Sequence, residues 1–226
     1  IVRRNVPMVY IIENNGVYGL TKGQFSATAD EGQSLKYAGT NELPPLDLCA
    51  EAIIAGAGFV ARSFAGDAKQ VSELLKAAMS FKGIAVLDII SPCVTFNNDD
   101  KSTKSYSYGK EHEVPIHDIT FVPEYNEISI DYDPGEVVSV KLHDGPAVQL
   151  RKLSKDHNPT DKMSALQLLE DAKRSGELVT GIVYINESRE TIVDTEDVHE
   201  IALAHLPESL LRPSRESLEE VMKDFI

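Results

Sequence analysis

From Val6 to Glu13 (VPMVYIIE) the chain runs almost wholly apolar, with β-branched members and no alternation. Such a run predicts a central strand covered on both faces. Asn14-Asn15-Gly16 follows as a turn signal. Val17 to Thr28 (VYGLTKGQFSAT) has neither helical nor strand period and predicts an ordered loop after the strand end. Leu46 to Ala57 has helical spacing and little polarity, which predicts a buried helix that Gly58 stops. A short strand is expected over Phe59 to Arg62. Asp67 to Lys82 is amphipathic, with Val71, Leu74, Leu75 and Ala78 on one face. Ile84 to Ile90 (IAVLDII) predicts a second buried strand, ending at Ser91-Pro92-Cys93. Strands alternating with helices predict an α/β fold with a parallel sheet.

After Cys93 the texture changes. Asn97 to Lys110 is polar and is expected to be flexible, and Glu127 to Asp131 alternates. Val137 to Leu142 and Ala147 to Leu153 flank His143-Asp144-Gly145, the pattern of a β-hairpin. Asp161 to Lys173 predicts a helix closed by Ser175-Gly176, and Val179 to Ile185 a strand. Ser217 with Glu220 has the spacing of a capping box before Leu218, Val221, Met222 and Phe225. A division near residues 100 to 115 is expected, with the second part an elaboration of the first.

Composition narrows the function classes. The 226 residues carry 22 Lys+Arg against 36 Asp+Glu, a net charge of −14. Nucleic acid is thereby excluded as the main ligand, because neutralising phosphates needs basic residues in excess. No apolar run approaches the roughly 18 residues of a membrane span, so no membrane partner is expected. Two cysteines, Cys49 and Cys93, make no disulfide scaffold. A reducing, cytoplasmic setting is the default expectation. The chain opens on Ile1 in what looks like the approach to a mid-domain strand, so a fragment lacking its N-terminal part is expected.

Three places offer chemistry. The first is Asn14 to Gln24 (NNGVYGLTKGQ), at the carboxyl end of a buried strand, where open α/β sheets bind ligands. Its amide and carbonyl oxygens are hard donors suited to Mg²⁺. Its glycines let backbone N–H groups approach a phosphate. The plain alternative is a Gly-rich turn that only connects elements. The second place is Cys93, which a proline turn brings to the same edge, whereas Cys49 lies among Leu46, Leu48 and Ile53 as core filler. The third, Gly56-Ala57-Gly58-Phe59-Val60-Ala61, fits a dinucleotide fingerprint by letter. It is rejected because a helix precedes it and a strand follows, the reverse of what that fingerprint needs. The six histidines show no ligand spacing and are expected as solvated or hydrogen-bonded surface groups.

The run Val17-Tyr18-Gly19-Leu20-Thr21-Lys22-Gly23-Gln24 after Asn14-Asn15 resembles the second half of the thiamine diphosphate motif in beta subunits of 2-oxoacid:ferredoxin oxidoreductases. The resemblance covers most of the chain and is best over residues 6 to 28 and 83 to 97. It implies a three-layer thiamine diphosphate-binding fold, with residues 1–100 the C-terminal part of that domain and 101–226 an α+β extension. It implies that Asn15 offers a side-chain oxygen and Val17 its backbone carbonyl to Mg²⁺. Gly19, Leu20 and Thr21 would sit near the diphosphate. Ser91-Pro92-Cys93 would supply one thiolate to a [4Fe–4S] cluster, which needs four. The acidic metal ligand and the other thiolates would lie upstream of Ile1, and the cofactor-activating Glu would come from the partner alpha subunit.

The implied reaction is oxidative decarboxylation of a 2-oxo acid with coenzyme A, giving acyl-CoA, CO₂ and reduced ferredoxin. In pyruvate-specific relatives Leu20-Thr21-Lys22 resembles Asn-Thr-Gly instead. The departure favours 2-oxoglutarate, with Lys22 facing its distal carboxylate; a surface or diphosphate-facing lysine is the plainer reading. Two rival classes stay open: a non-catalytic assembly subunit that keeps the fold, and a ferredoxin-independent thiamine diphosphate decarboxylase or carboligase. The second rival has no need of a thiolate at Cys93.

Overall fold

A computed structural model of the chain describes residues 1–36, 38–100, 102–122, 133–141, 147–153, 156–199, 201–223 and 225. In chain order the strands are β1 (Met8–Asn14), β2 (Val17–Tyr18), β3 (Gln24–Phe25), β4 (Ser34–Leu35), β5 (Gly39–Thr40), β6 (Phe59–Phe64), β7 (Ile84–Ile90), β8 (Glu113–Pro115), β9 (His117–Val122), β10 (Val137–Lys141), β11 (Ala147–Lys152) and β12 (Leu178–Ile185). The helices are α1 (Leu48–Ala55), α2 (Ala68–Ser80), α3 (Tyr106–His112), α4 (Lys162–Ser175), α5 (Ile192–Thr195), α6 (Glu208–Leu211) and α7 (Arg215–Lys223). The compact units divide between Thr191 and Ile192.

The first unit is an α/β layer structure. Its main sheet has the order β1-β7-β6-β12-β8. Strands β1, β7 and β6 are mutually parallel; β12 joins β6 antiparallel, and β8 is parallel to β12. Side chains of successive strand residues leave opposite faces. Phe59, Ala61, Ala85, Leu87 and Ile89 accordingly share one core with Leu74, Ala77 and Ala78 of α2 and with Ile119, Val140 and Leu150 of the small antiparallel sheet β10-β11-β9. Val60, Ile84 and Val86 point the other way, onto Cys49 and Ile53 of α1 and Ala165 and Leu169 of α4. On β12 a register shift between Ile182 and Tyr184 sends Ile182 and Ile185 to the first core and Val183 and Tyr184 to the second. The three layers are therefore α1 and α4, the sheet, and α2 with the small sheet.

Several expectations need correcting. Strand β1 is not central: it lies at the sheet edge, with Tyr10 49% and Ile11 48% exposed. An apolar run marks a strand that something must cover, but not whether the cover lies within the same stretch of chain. Helix α1 stops at Gly56, not Gly58. Gly56 takes φ 96° and its N–H closes onto the Ala52 and Ile53 carbonyls, the left-handed cap that glycine supplies. Gly58 lies where a Cβ would come within 2.8 Å of the Phe81 ring. The expected flexible stretch contains α3, capped by the Ser105 hydroxyl, which accepts the Tyr108 N–H at 3.2 Å. His117 and His157 are buried rather than at the surface; His157 Nε2 donates to the Val183 carbonyl at 2.7 Å. Strands β10 and β11 pair antiparallel as expected; His143 to Gly145 and Glu127 to Asp131 lie outside the described residues.

The second unit, Ile192 to Ile226, holds α5, α6 and α7. The capping serine of α7 is Ser214 rather than Ser217: the Ser214 hydroxyl accepts the Ser217 N–H at 3.1 Å. Leu218, Val221, Met222 and Phe225 are exposed.

Polar groups tie the parallel strands together from within. Asp88, on β7, is fully buried. One of its oxygens accepts the Arg62 Nε–H of β6 at 2.9 Å, and the other accepts the Asn14 amide of β1 at 3.0 Å. Arg62 also donates through Nη2 to Asp47, the N-cap of α1, at 2.8 Å. A buried carboxylate is tolerable only when paired and hydrogen-bonded in this way. Burial pushes the Asp47 carboxyl up, but the Arg62 guanidinium and the Ala50 N–H outweigh it and hold the pKa below its ordinary value. Burial also pushes the Cys49 thiol well up, so it stays protonated and inert, as its core position requires.

Two outcomes are expected. Leu74→Ala, deep in the first core, should cost about 2–5 kcal/mol in urea denaturation; Ile11→Ala, on the exposed edge, should cost about 1 kcal/mol or less. The Asp47 pairing contributes fully above the ordinary carboxylate pKa of 3.8 and is lost as pH falls through the lower folded value. Asp47→Asn should therefore flatten the fall in thermal stability between about pH 5 and about pH 3.

Candidate functional site

Strands β1, β7 and β6 finish along one edge. The Ser91 N–H donates to the Asn14 carbonyl and the Ala65 N–H to the Ile90 carbonyl, both at 2.9 Å. The carboxyl edge of a parallel sheet is where such folds bind ligands. Asn14 is the last residue of β1, and its side chain is used inward. Its amide faces Asp88, and its oxygen accepts the Thr28 hydroxyl at 2.7 Å. That assignment follows from the partners, because a carboxylate can only accept. Thr28 is bonded in turn to the Ser26 hydroxyl at 2.8 Å. Both ends of the Asn15 to Phe25 segment are thus pinned to one buried polar chain.

Between those pins the chain is a hairpin rather than an irregular loop. Val17 pairs with Phe25 and Tyr18 with Gln24. The tip is closed by the Lys22 N–H on the Gly19 carbonyl and the Gly23 N–H on the Tyr18 carbonyl, each at 3.1 Å. Lys22 itself takes φ 67°. The strand period was hidden because the paired strands are two residues each. Asn15 is half-buried, and its Oδ1 accepts the Val17 N–H at 3.0 Å. A second lone pair on that oxygen remains for a cation. Val17 is buried, whereas Gly19, Leu20, Thr21 and Lys22 are exposed at the tip. Leu20 is 99% exposed, and no atom lies within 4 Å of where a Gly19 Cβ would be. The Thr21 hydroxyl donates to the Tyr18 carbonyl at 3.2 Å.

Cys93 comes to the same edge. It is half-buried and opens a turn in which the Phe96 and Asn97 N–H groups donate to its carbonyl, at 3.1 and 2.7 Å. That turn lies directly on the hairpin. The Asn97 side chain donates to the Asn15 carbonyl at 2.7 Å, and the Phe96 ring lies 3.0 Å from where a Gly23 Cβ would stand. Farther along, Asp30 accepts from the Thr103 N–H at 2.9 Å and from Lys104 Nζ at 3.0 Å.

The structure thus brings Asn15, Val17 and Cys93 into one neighbourhood and sets Gly19 to Lys22 out at its rim. Sequence reasoning placed Asn14 in the candidate run without giving it its inward role, and it missed Asp88, Arg62 and Asn97. For two of these a signal existed: Asp88 and Arg62 are lone charges inside apolar strands, IAVLDII and FVARSF. Asn97 had no signal, since its role depends on a contact 82 positions away.

The donor set at the hairpin fits a hard divalent cation with a phosphate in its shell: amide and carbonyl oxygens, with no imidazole or thiolate in the loop. An iron–sulfur cluster is a different matter. It needs four thiolates, and beside the fully buried Cys49 this chain has only Cys93, so the residues present do not fit a cluster on their own. Among the described residues no group of three or more His, Cys, Asp and Glu could hold a metal ion, and no helix is long and apolar enough to cross a membrane.

The chain is similar to several known proteins. Residues 1–89 match the family described as thiamine pyrophosphate enzyme, C-terminal TPP binding domain. The chain is 42% identical over 130 residues to the 2-oxoacid:ferredoxin oxidoreductase subunit beta of a Sulfolobus species, covering 56% of this chain and 39% of that one. It is 45% identical over 108 residues to the subunit of the same name from Saccharolobus solfataricus, covering 46% and 34%. The 2-oxoglutarate oxidoreductase subunit KorB of Mycobacterium tuberculosis is 36% identical over 98 residues, covering 43% and 26%. The matched stretches thus span well under half of these relatives. In fold, the chain is similar to a solved 2-oxoglutarate:ferredoxin oxidoreductase from Magnetococcus marinus with 2-oxoglutarate, coenzyme A and succinyl-CoA bound. There the TM-score is 0.61 and the identity 25%, over 94% of this chain and 60% of that one. By sequence and by fold, the chain is similar to beta subunits of 2-oxoacid:ferredoxin oxidoreductases, the resemblance that its Asn14 to Gln24 wording carries.

Proposed function

We propose that this chain is part of the beta subunit of an enzyme that oxidatively decarboxylates a 2-oxo acid, 2-oxoglutarate by preference. Coenzyme A takes the acyl group, CO₂ leaves, and two electrons pass singly to ferredoxin. The carrying observation is the oxygen-lined hairpin of Asn15 and Val17 at the carboxyl sheet edge, inside the stretch that matches the thiamine pyrophosphate family. Thiamine diphosphate would supply the nucleophilic carbon and the electron sink that a side chain cannot.

This chain's own work is to bind and orient. Asn15 Oδ1 and the Val17 carbonyl would face Mg²⁺, with Gly19, Leu20 and Thr21 against the diphosphate. The Lys22 ammonium would meet the distal carboxylate of 2-oxoglutarate; its exposed place at the hairpin tip suits a group that must reach a ligand. Cys93 would be the single thiolate this chain lends to a [4Fe–4S] cluster, the other three coming from outside these 226 residues. The alpha subunit would complete the site. Residues 1–100 would form part of the cofactor domain and 101–226 its extension. The two free cysteines suit a reducing cytoplasm.

The test is anoxic assay of the assembled enzyme with 2-oxoglutarate, coenzyme A and ferredoxin. Ferredoxin reduction should require thiamine diphosphate and Mg²⁺, and Asn15→Ala should lower it roughly 100-fold or more. No reduction with any 2-oxo acid would overturn the proposal. For selectivity, Lys22→Ala should raise KM for 2-oxoglutarate roughly tenfold while leaving KM for pyruvate nearly unchanged. Equal effects on both acids would remove Lys22 from substrate choice.

A further inference from the structure

Asn97 is 3% exposed and holds two things at once. Its backbone N–H closes the Cys93 turn on the Cys93 carbonyl at 2.7 Å, and the pair forms an antiparallel bridge. Its side-chain amide donates to the Asn15 carbonyl, also at 2.7 Å. The hairpin is shaped to admit that amide. Gly16 stands at φ 72°, and a Cβ there would lie 3.0 Å from Asn97 Nδ2. The two loops otherwise come from different crossovers, after β1 and after β7, so nothing in local chain geometry fixes one against the other.

We propose that Asn97 is a positioning residue that locks the cation-facing hairpin to the Cys93 turn. The inference rests on the cofactor reading above and extends it to a residue outside the motif. With the Asn15 carbonyl held by the Asn97 amide and Asn15 Oδ1 held by the Val17 N–H, Asn15 has its backbone and side-chain oxygens both oriented before a cation arrives. Pre-organisation of this kind shows in affinity, because ordering is not required at binding. Asn97 touches neither cation nor diphosphate in this reading; it acts through Asn15.

The experiment titrates Mg²⁺ into the assembled enzyme and follows thiamine diphosphate binding by calorimetry, with thermal melting in parallel. Asn97→Ala removes the amide; Asn97→Asp, read at alkaline pH, keeps the shape and the backbone bond but presents no N–H. Both variants should raise the Mg²⁺ concentration at half-saturation roughly tenfold. A role in packing alone would move only the melting temperature, and chiefly for Asn97→Ala. Folded variants whose Mg²⁺ midpoint equals the wild-type value would overturn the proposal while leaving the cofactor reading intact. If the wild-type enzyme itself binds thiamine diphosphate without Mg²⁺ dependence, the cofactor reading fails and this inference with it. Should Asn97→Ala fail to fold, Asn97→Asp alone decides.

Discussion

A single buried carboxylate organises the functional edge of this protein. Asp88 lies in the middle strand of a parallel trio, and each of its oxygens is filled from a different neighbour: Arg62 on one side, Asn14 on the other. Hydrophobic burial says only that these strands pack; the carboxylate says which strand stands where, since a neighbour without a donor at that level would leave a buried acceptor unmet. Such a group is costly when unpaired, so the requirement discriminates among strand orders in a way that interchangeable Val and Ile cannot. The Asn14 partner then carries the constraint outward, because the next residue, Asn15, begins the hairpin.

From that anchor the chemistry follows in short steps. Asn14 is held inward, so the chain must turn at Asn15. Thr28 grips Asn14 from the returning side, which closes the excursion into a hairpin with fixed ends. Within it, Asn15 Oδ1 accepts the Val17 N–H, and no atom lies within 4 Å of where a Gly19 Cβ would be at the tip. The Cys93 turn is laid over this hairpin by Asn97 and Phe96. Two motifs that are 78 positions apart in the chain thereby lie in contact. The interior supplies order and the rim supplies reach: Leu20 and Lys22 are free to meet ligand or partner because nothing in the hairpin depends on their side chains.

How much of this was legible beforehand can be judged residue by residue. The alternation that divides Phe59 and Ala61 from Val60, and Leu74 from its exposed neighbours, is plain in the letters, and the α/β layering follows from it. So do the strand-end position of Asn15 and the separate natures of Cys49 and Cys93. The edge position of β1 was not legible, since VPMVYIIE looks the same whether its cover is near or far in sequence. The hairpin escaped notice because pairs of two residues leave no period. The exact stops at Gly56 and Ser214 depend on backbone angles and hydroxyl geometry that several nearby residues could have supplied equally well. Asn97, Arg62 and Asp88 act across long separations, and only folding puts their partners beside them.

The central claim is that the Asn15–Val17 hairpin holds a divalent cation together with a diphosphate. Replacing Mg²⁺ by Mn²⁺ in the assembled enzyme and recording electron–nuclear double resonance in the presence of thiamine diphosphate addresses it directly. The account predicts a ³¹P coupling to bound Mn²⁺ in the wild-type enzyme and its loss in a folded Asn15→Ala variant. Mn²⁺ bound with the same ³¹P coupling in both proteins, or no coupling in either, would contradict it.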